Sequence, residues 1–357
     1  MVMSGQEIVT FVPQASIGSA ILPSDANGGV LVPVIPGTFR ATPNYEQILD
    51  RGRRGPDAMD FQAMQGVGFT EITWEGYVQL GRDAAGNPKT GIGYLLANLL
   101  GADGVAPQIG ATGSYDHKLH LGTEKAYFTV QHDSGGISGA NDRQWEGCRV
   151  TEIVIRWNVG EGPVTYRVTM IGRNRTLVTA QTPTDYNADP WRGWHCIANV
   201  NGANTRVMSG EWTLRRAPSR FYGANNVQNY ADLYLGPLEV TCSLVLDYSV
   251  VTDLTLFHTH ASAEEQLSTL FRVGTEDATS EKTFAIGAVN MDFGDGPAEL
   301  DSSEANVKLG LVCRGLYTTS VGPFSSTGNA ATAQNGPVEI QIVQANSGIY
   351  DISLGTT

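Results

Sequence analysis

Apolar and polar positions alternate with a period of two along most of the chain, the signature of half-buried strands. The clearest runs are Phe69–Leu80, Ala126–Gln131, Val150–Trp157, Val164–Ile171, Glu211–Arg215, Leu238–Asp247, Thr283–Val289 and Val307–Leu311. Asn-Val-Gly-Glu-Gly-Pro at 158–163 separates two of these runs as a hairpin turn would. Two segments carry a helical period instead. Gly91–Leu100 is apolar almost throughout and is followed by Gly101, a natural C-terminal stop. In Ser262–Phe271, Ala263, Gln266, Leu267, Leu270 and Phe271 share one helical face, Glu264 and Glu265 fall in the first turn, and Arg272 follows the last.

The elements occur in a doubled order: strand, helix, aromatic strand, closing strand, then the same again. Lys125-Ala-Tyr-Phe-Thr-Val parallels Lys282-Thr-Phe-Ala-Ile-Gly, and Val164–Arg173 parallels Val307–Leu316. This predicts a mainly β protein with two tandem modules, each flanked by one helix, at residues 35–178 and 179–320. Residues 1–34, rich in Gly, Ser and Pro, read as an extended N-terminal arm. Residues 321–357 combine a low-complexity linker (325–337) with a late strand at Val338–Val343.

Composition narrows the function. With 41% hydrophobic residues and six Trp in 357, the chain can bury a core, while 42 Gly and only 17% charged residues favour turns and strands over salt-bridged helices. No apolar run is long enough for a membrane helix, and the N-terminus lacks the basic and continuous apolar regions of a signal peptide. A net charge of −13 argues against a protein that reads nucleic acid with a basic groove. The charge is concentrated: Asp232–Glu304 holds 14 acids against two bases, Arg272 and Lys282. Cys148, Cys196, Cys242 and Cys313 are too widely spaced for a zinc site and read as reduced strand residues of a protein made in a cytoplasm.

Motifs that could carry chemistry are weak. Asp133-Ser-Gly-Gly136 resembles a protease nucleophile loop, but His117 and His120 lie just upstream rather than on an opposing barrel. His258-Thr-His260 with Glu264 lacks a third ligand fixed by spacing, and Asp292–Asp301 lacks the alternating oxygens of a calcium loop. No phosphate-binding loop or nucleophile elbow is present. These absences predict no catalysis, no cofactor and no metal. Two arginine groups, Arg51, Arg53, Arg54 and Arg215, Arg216, Arg220, are local basic patches suited to meeting the acidic region of a neighbouring copy.

Taken in order, several segments resemble the major tail tube protein of long-tailed (siphovirus-like) bacteriophages. They are Phe39-Arg-Ala-Thr-Pro-Asn-Tyr-Glu-Gln-Ile-Leu-Asp-Arg-Gly, a lone helix ending Leu99-Leu-Gly101, Lys125–Val130, Trp145-Glu-Gly-Cys-Arg-Val150, Trp194-His-Cys-Ile-Ala-Asn-Val-Asn-Gly and Val207-Met-Ser-Gly-Glu-Trp-Thr-Leu. The resemblance covers roughly 35–320. It implies tail-tube-type β-sandwich modules whose sheets close between copies into a barrel, in rings stacked to form a tube. Three two-module copies, or six otherwise, would make one ring.

The resemblance also implies a virion-tail protein assembled in the host cytoplasm. Its partners would be itself, the tape measure protein, the tail terminator and distal tail or baseplate proteins, with DNA passing through the lumen. An acidic wall would let a polyanion slide, and Asp292, Asp295, Glu299 and Asp301 are the candidate lining residues. Against this stands a secreted or virion-surface carbohydrate-binding sandwich, in which Tyr186, Trp191 and Trp194 would stack on sugars.

Overall fold

The computed structural model describes residues 7–14, 16–50, 62–79, 91–101, 108–109, 115–123, 126–133, 142–179, 183–184, 190–200, 203–224, 228–248, 264–273, 282–292, 300–301, 307–320, 322–324 and 336–344. The pattern of Ile72, Trp74 and Val78 facing inward while Glu71, Thr73 and Glu75 face outward makes β4 (Gln62–Tyr77) a long half-buried strand. It lies between β3 (Arg40–Asp50) and β9 (Glu161–Gly172). Beyond β9 come β8 (Asp142–Asn158), β13 (Val207–Phe221), β14 (Asp232–Tyr248), β18 (Val307–Gly315) and the two-residue β17 (Leu300–Asp301). These eight strands form one antiparallel sheet in the order β3-β4-β9-β8-β13-β14-β18-β17.

Its inner face packs on a second antiparallel sheet. That sheet runs β12 (Ala203–Thr205), β11 (Cys196–Val200), β15 (Glu264–Val273), β16 (Lys282–Asp292), β19 (Glu339–Gln344), β6 (Tyr115–Leu119) and β5 (Gln108–Ile109). The aromatic residues that the alternation pointed inward meet here. Trp212 Nε1 donates to Thr269 Oγ1 at 2.8 Å, Trp157 meets Phe271 edge-on with centroids 5.4 Å apart, and Trp191 stacks on Phe284 at 5.8 Å. Such rings bury 150–250 Å² each and dominate core energetics. At one corner β16 also pairs with β18, through Met291↔Gly315 and Asp292↔Arg314.

The first half of β8 bends into a third group of strands: β2 (Val30–Pro33), β1 (Ile8–Gln14), β7 (Tyr127–Asp133), β8 itself and β10 (Thr176–Val178). The helix α1 (Gly91–Leu100) packs against this group and is buried at every position, as its all-round apolar sequence requires. A Cβ on Gly91 would lie 2.5 Å from Val32 Cγ2, so glycine permits the close approach. Gly101 ends the helix at φ +63°. Asn98 on α1 is buried with both ends of its amide engaged: Nδ2 donates to Ala126 O at 3.0 Å, and Oδ1 accepts from Val150 N at 2.8 Å.

Two sequence expectations are corrected. Ser262–Phe271 is not a helix, because Glu264–Val273 is strand β15, paired on both sides with β11 and β16. Leu267 and Phe271 are four residues apart, which is one helical turn and also two strand repeats. Thr269, buried between them, fits only the strand. Nor do residues 8–14 and 30–33 form a free arm: β1 sits in the body between β2 and β7, with Val9 and Phe11 fully buried. Pro13 is accommodated because β2 pairs only as far as Phe11, so the missing N–H is needed by no neighbour on that side. All four cysteines are free thiols, and burial pushes those of Cys148, Cys242 and Cys313 up, keeping them protonated.

Candidate assembly surface

The outer face of the eight-stranded sheet is mostly polar by the same alternation that fills the inner one, with Val154, Val245 and the exposed Val312 as its apolar members. Thr73, Thr165, Thr169, Thr213, Thr241 and Ser243 stand on it with Glu71, Glu75, Glu152, Glu211 and Glu239, and with Arg156, Arg167, Arg215 and Arg314. Arg156 Nε donates to Glu211 Oε2 across the β8–β13 junction, and Arg167 Nη2 donates to Glu152 Oε1 at 3.2 Å. Arg215 lies in register with Glu152 on one side and Glu239 on the other. Each such half-exposed pair stabilises by less than about 1 kcal/mol, but together they leave the arginines facing carboxylates.

Register within this sheet repeats. All ten β3–β4 pairs have a counterpart in β13–β14 at constant spacings of 171 and 170 residues, so that Ala41↔Ile72 corresponds to Trp212↔Cys242. The irregularity between Tyr45 and Gln47 recurs between Arg216 and Pro218, at the same spacing of 171. The β4–β9 pair Ile72↔Met170 corresponds to Cys242↔Cys313 in β14–β18, and the β8–β9 pair Arg156↔Thr165 to Asp301↔Lys308 in β17–β18. At the sheet's edge, β3 pairs with β4 alone among the described strands, and its residues 40, 42, 43, 45 and 46 are exposed.

The residues expected at contacts and walls are dispersed. Asp292 is exposed at the end of β16, and Asp301 lies on β17 in register with Lys308. Asp295 and Glu299 lie outside the described residues, as do Arg51, Arg53 and Arg54. Arg215 stands on the outer face, and Arg220 stacks on the Phe69 ring at 3.7 Å. Arg216 is committed within the chain: it donates to Gly236 O at 2.8 Å, to Leu235 O at 3.3 Å, and to Leu99 O at 3.1 Å, where it caps α1. Burial lowers its pKa.

The ends of β13 and β14 rest on the body. Gly68 N donates to Gln228 O at 3.0 Å, Tyr230 OH to Gly147 O at 2.8 Å, and Arg173 Nη2 to Tyr230 O at 2.8 Å.

Residues 9–346 match the family model described as phage tail tube protein. The chain belongs to the phage tail tube protein family. No curated protein matches it. Membership makes it a structural protein of the bacteriophage tail, and a β-sandwich is the architecture found.

Among the described residues no three His, Cys, Asp or Glu side chains group as a metal site, and no helix is long and apolar enough to cross a membrane. His258 and His260 lie outside the described residues. Of the aromatic residues weighed for sugar stacking, Trp191 is in the core, Trp194 is 62% exposed, and Tyr186 lies outside the described residues. Arg40, Arg156 and Glu211, which stand at or beside the sheet junctions, were not singled out from the sequence. For Arg156 and Glu211 the only signal there is position within an alternating run.

Proposed function

We propose that three copies of this tail tube protein close into a ring, that rings stack into the tail tube, and that the outer face of the eight-stranded sheet lines the channel through which the genome passes. The observation that carries this reading is the repeated register: β3-β4-β9-β8 and β13-β14-β18-β17 use the same pairings, joined inside the chain by β8 and β13. A chain that already joins one set of four strands to another has a ready geometry for joining the next copy. Closure would also remove the open β3 edge, which otherwise invites nonspecific pairing.

Three eight-stranded sheets make 24 strands, a circumference of about 115 Å at roughly 4.8 Å per strand. The barrel is then about 37 Å across between backbones before strand tilt widens it, which leaves room for a nucleic acid duplex. On this wall Arg156, Arg167 and Arg215 each have a carboxylate beside them, so a passing phosphate backbone must displace an existing partner to bind there. Asp292, Asp295, Glu299 and Asp301 are proposed to add negative charge near the wall's margin.

The hairpins β3–β4 and β13–β14 are proposed to contact the next ring. The tape measure protein would occupy the lumen before the genome, with the terminator and distal tail proteins at the tube's ends. Assembly in the host cytoplasm fits the four free thiols.

Negative-stain microscopy with light scattering tests the ring. The expected result is rings of three times 38.2 kDa that stack into tubes. Monomers alone under all conditions would refute the proposal, and six chains per ring would refute its count.

A further inference from the structure

This inference rests on the ring proposed above and concerns which residues meet at its seams. At the internal seam, Arg156 on β8 lies opposite Glu211 on β13, and Ile155 opposite Trp212. The spacing of 171 residues carries Glu211 and Trp212 back to Arg40 and Ala41 on the open edge of β3. On the other edge, Arg156 and Ile155 face Thr165 and Tyr166 just as Asp301 and Leu300 face Lys308 and Leu309.

We propose that the seam between copies repeats the internal one: β3 of one copy adds antiparallel to β17 of the next, with Arg40 opposite Asp301 and Ala41 opposite Leu300. The charges support this and add something the repeat alone does not. Inside the chain the base is on β8 and the acid on β13; at the outer edges the acid is on β17 and the base on β3. The outer edges therefore complement each other with reversed polarity. A β3 edge set against a β8-type edge would bring Arg40 to Arg156, and a β17 edge against a β13-type edge would bring Asp301 to Glu211. Opposite charges directly across a strand pair stabilise and like charges destabilise, so the reversal makes the outer edges select each other over the inner ones.

Two measurements test this seam. The first places Ala41→Cys and Leu300→Cys together, with the half-buried Cys196→Ser. Directly opposed strand positions lie about 4.5–5.5 Å apart at Cα, within disulfide range. Oxidation of assembled tubes should then give covalent dimers and trimers on non-reducing gels, with nothing larger, and neither single cysteine should do so. The second is a charge exchange. Arg40→Glu alone and Asp301→Arg alone should each raise the concentration needed for assembly roughly tenfold, with unfolding midpoints matching the native protein. Arg40→Glu with Asp301→Arg together recreates the internal polarity and should return assembly to within about twofold of native. Tubes that form without the interchain bond, or single exchanges that assemble as the native protein does, overturn the seam while leaving the ring standing. Failure of the native protein to form rings overturns both.

Discussion

Glu339 gives the chain a pH dependence that can be worked out in advance. It is fully buried at the start of β19, and no hydrogen bond reaches its carboxylate oxygens among the described residues. Lys118 Nζ stands 3.7 Å from Oε1 but donates to Phe324 O at 2.6 Å. Gly322 is pressed so close that a Cβ there would lie 1.3 Å from Oε2, so little space remains for water. Burial, with the Asp116 carboxylate nearby, raises the Glu339 pKa from 4.5 to about 7, against the partial opposition of Lys118.

The folded protein thus holds a proton that the unfolded chain releases above pH 4.5. Stability from this group is fully present below pH 4.5 and is lost as pH rises through 7. At 1.36 kcal/mol per pKa unit, the loss is about 3 kcal/mol. Glu339→Gln removes the titration, so its stability relative to the native chain should improve by about 3 kcal/mol between pH 4.5 and pH 8. Urea unfolding of disassembled subunits across that range measures the difference directly. A flat difference would refute the reasoning. A native chain that gains on the variant as pH rises would show that the Lys118 ion pair outweighs the cost of burial.

Two further outcomes test the packing. Asn98→Leu should cost about 2–4 kcal/mol in urea unfolding, because Ala126 C=O and Val150 N–H lose their partner in the core. Trp212→Phe should cost about 1–2 kcal/mol, because Thr269 Oγ1 loses its incoming donor while still donating to Ile286 O, and Thr269→Val should cost less when added to it than alone.

The strands were legible because apolar residues recur at every second position along stretches of β4, β8, β9 and β14, and burial follows that period. Helix α1 was legible for the complementary reason: it is apolar on all sides and stopped by Gly101. Strand β15 was not, since Leu267 and Phe271 satisfy both periods and only their neighbours across the sheet decide between them. β1 was obscured by Pro13 and by the Gly/Ser-rich residues that follow it. The assembly surface was the least legible part. Arg156 and Glu211 are 55 residues apart and become partners only through the β8–β13 junction. Arg216 looked like a surface cation, yet it spends its donors on three carbonyls of its own chain. Sequence likeness between the two four-strand sets is faint, and the register they share shows only once each strand's partner is known.

The fastening of residues 228–231 bears on what happens when a tail is pulled or flexed. Their backbone and the Tyr230 hydroxyl are tied both to β4, through Gly68, and to the β8–β9 region, through Gly147 and Arg173. A connection that stays loose must surrender its freedom each time a neighbour docks on it, whereas one already pinned has settled that entropy during folding. In the proposed tube, tension arriving at residues 228–231 would be shared between β4 and the β8–β9 hairpin, which would brace this point against both.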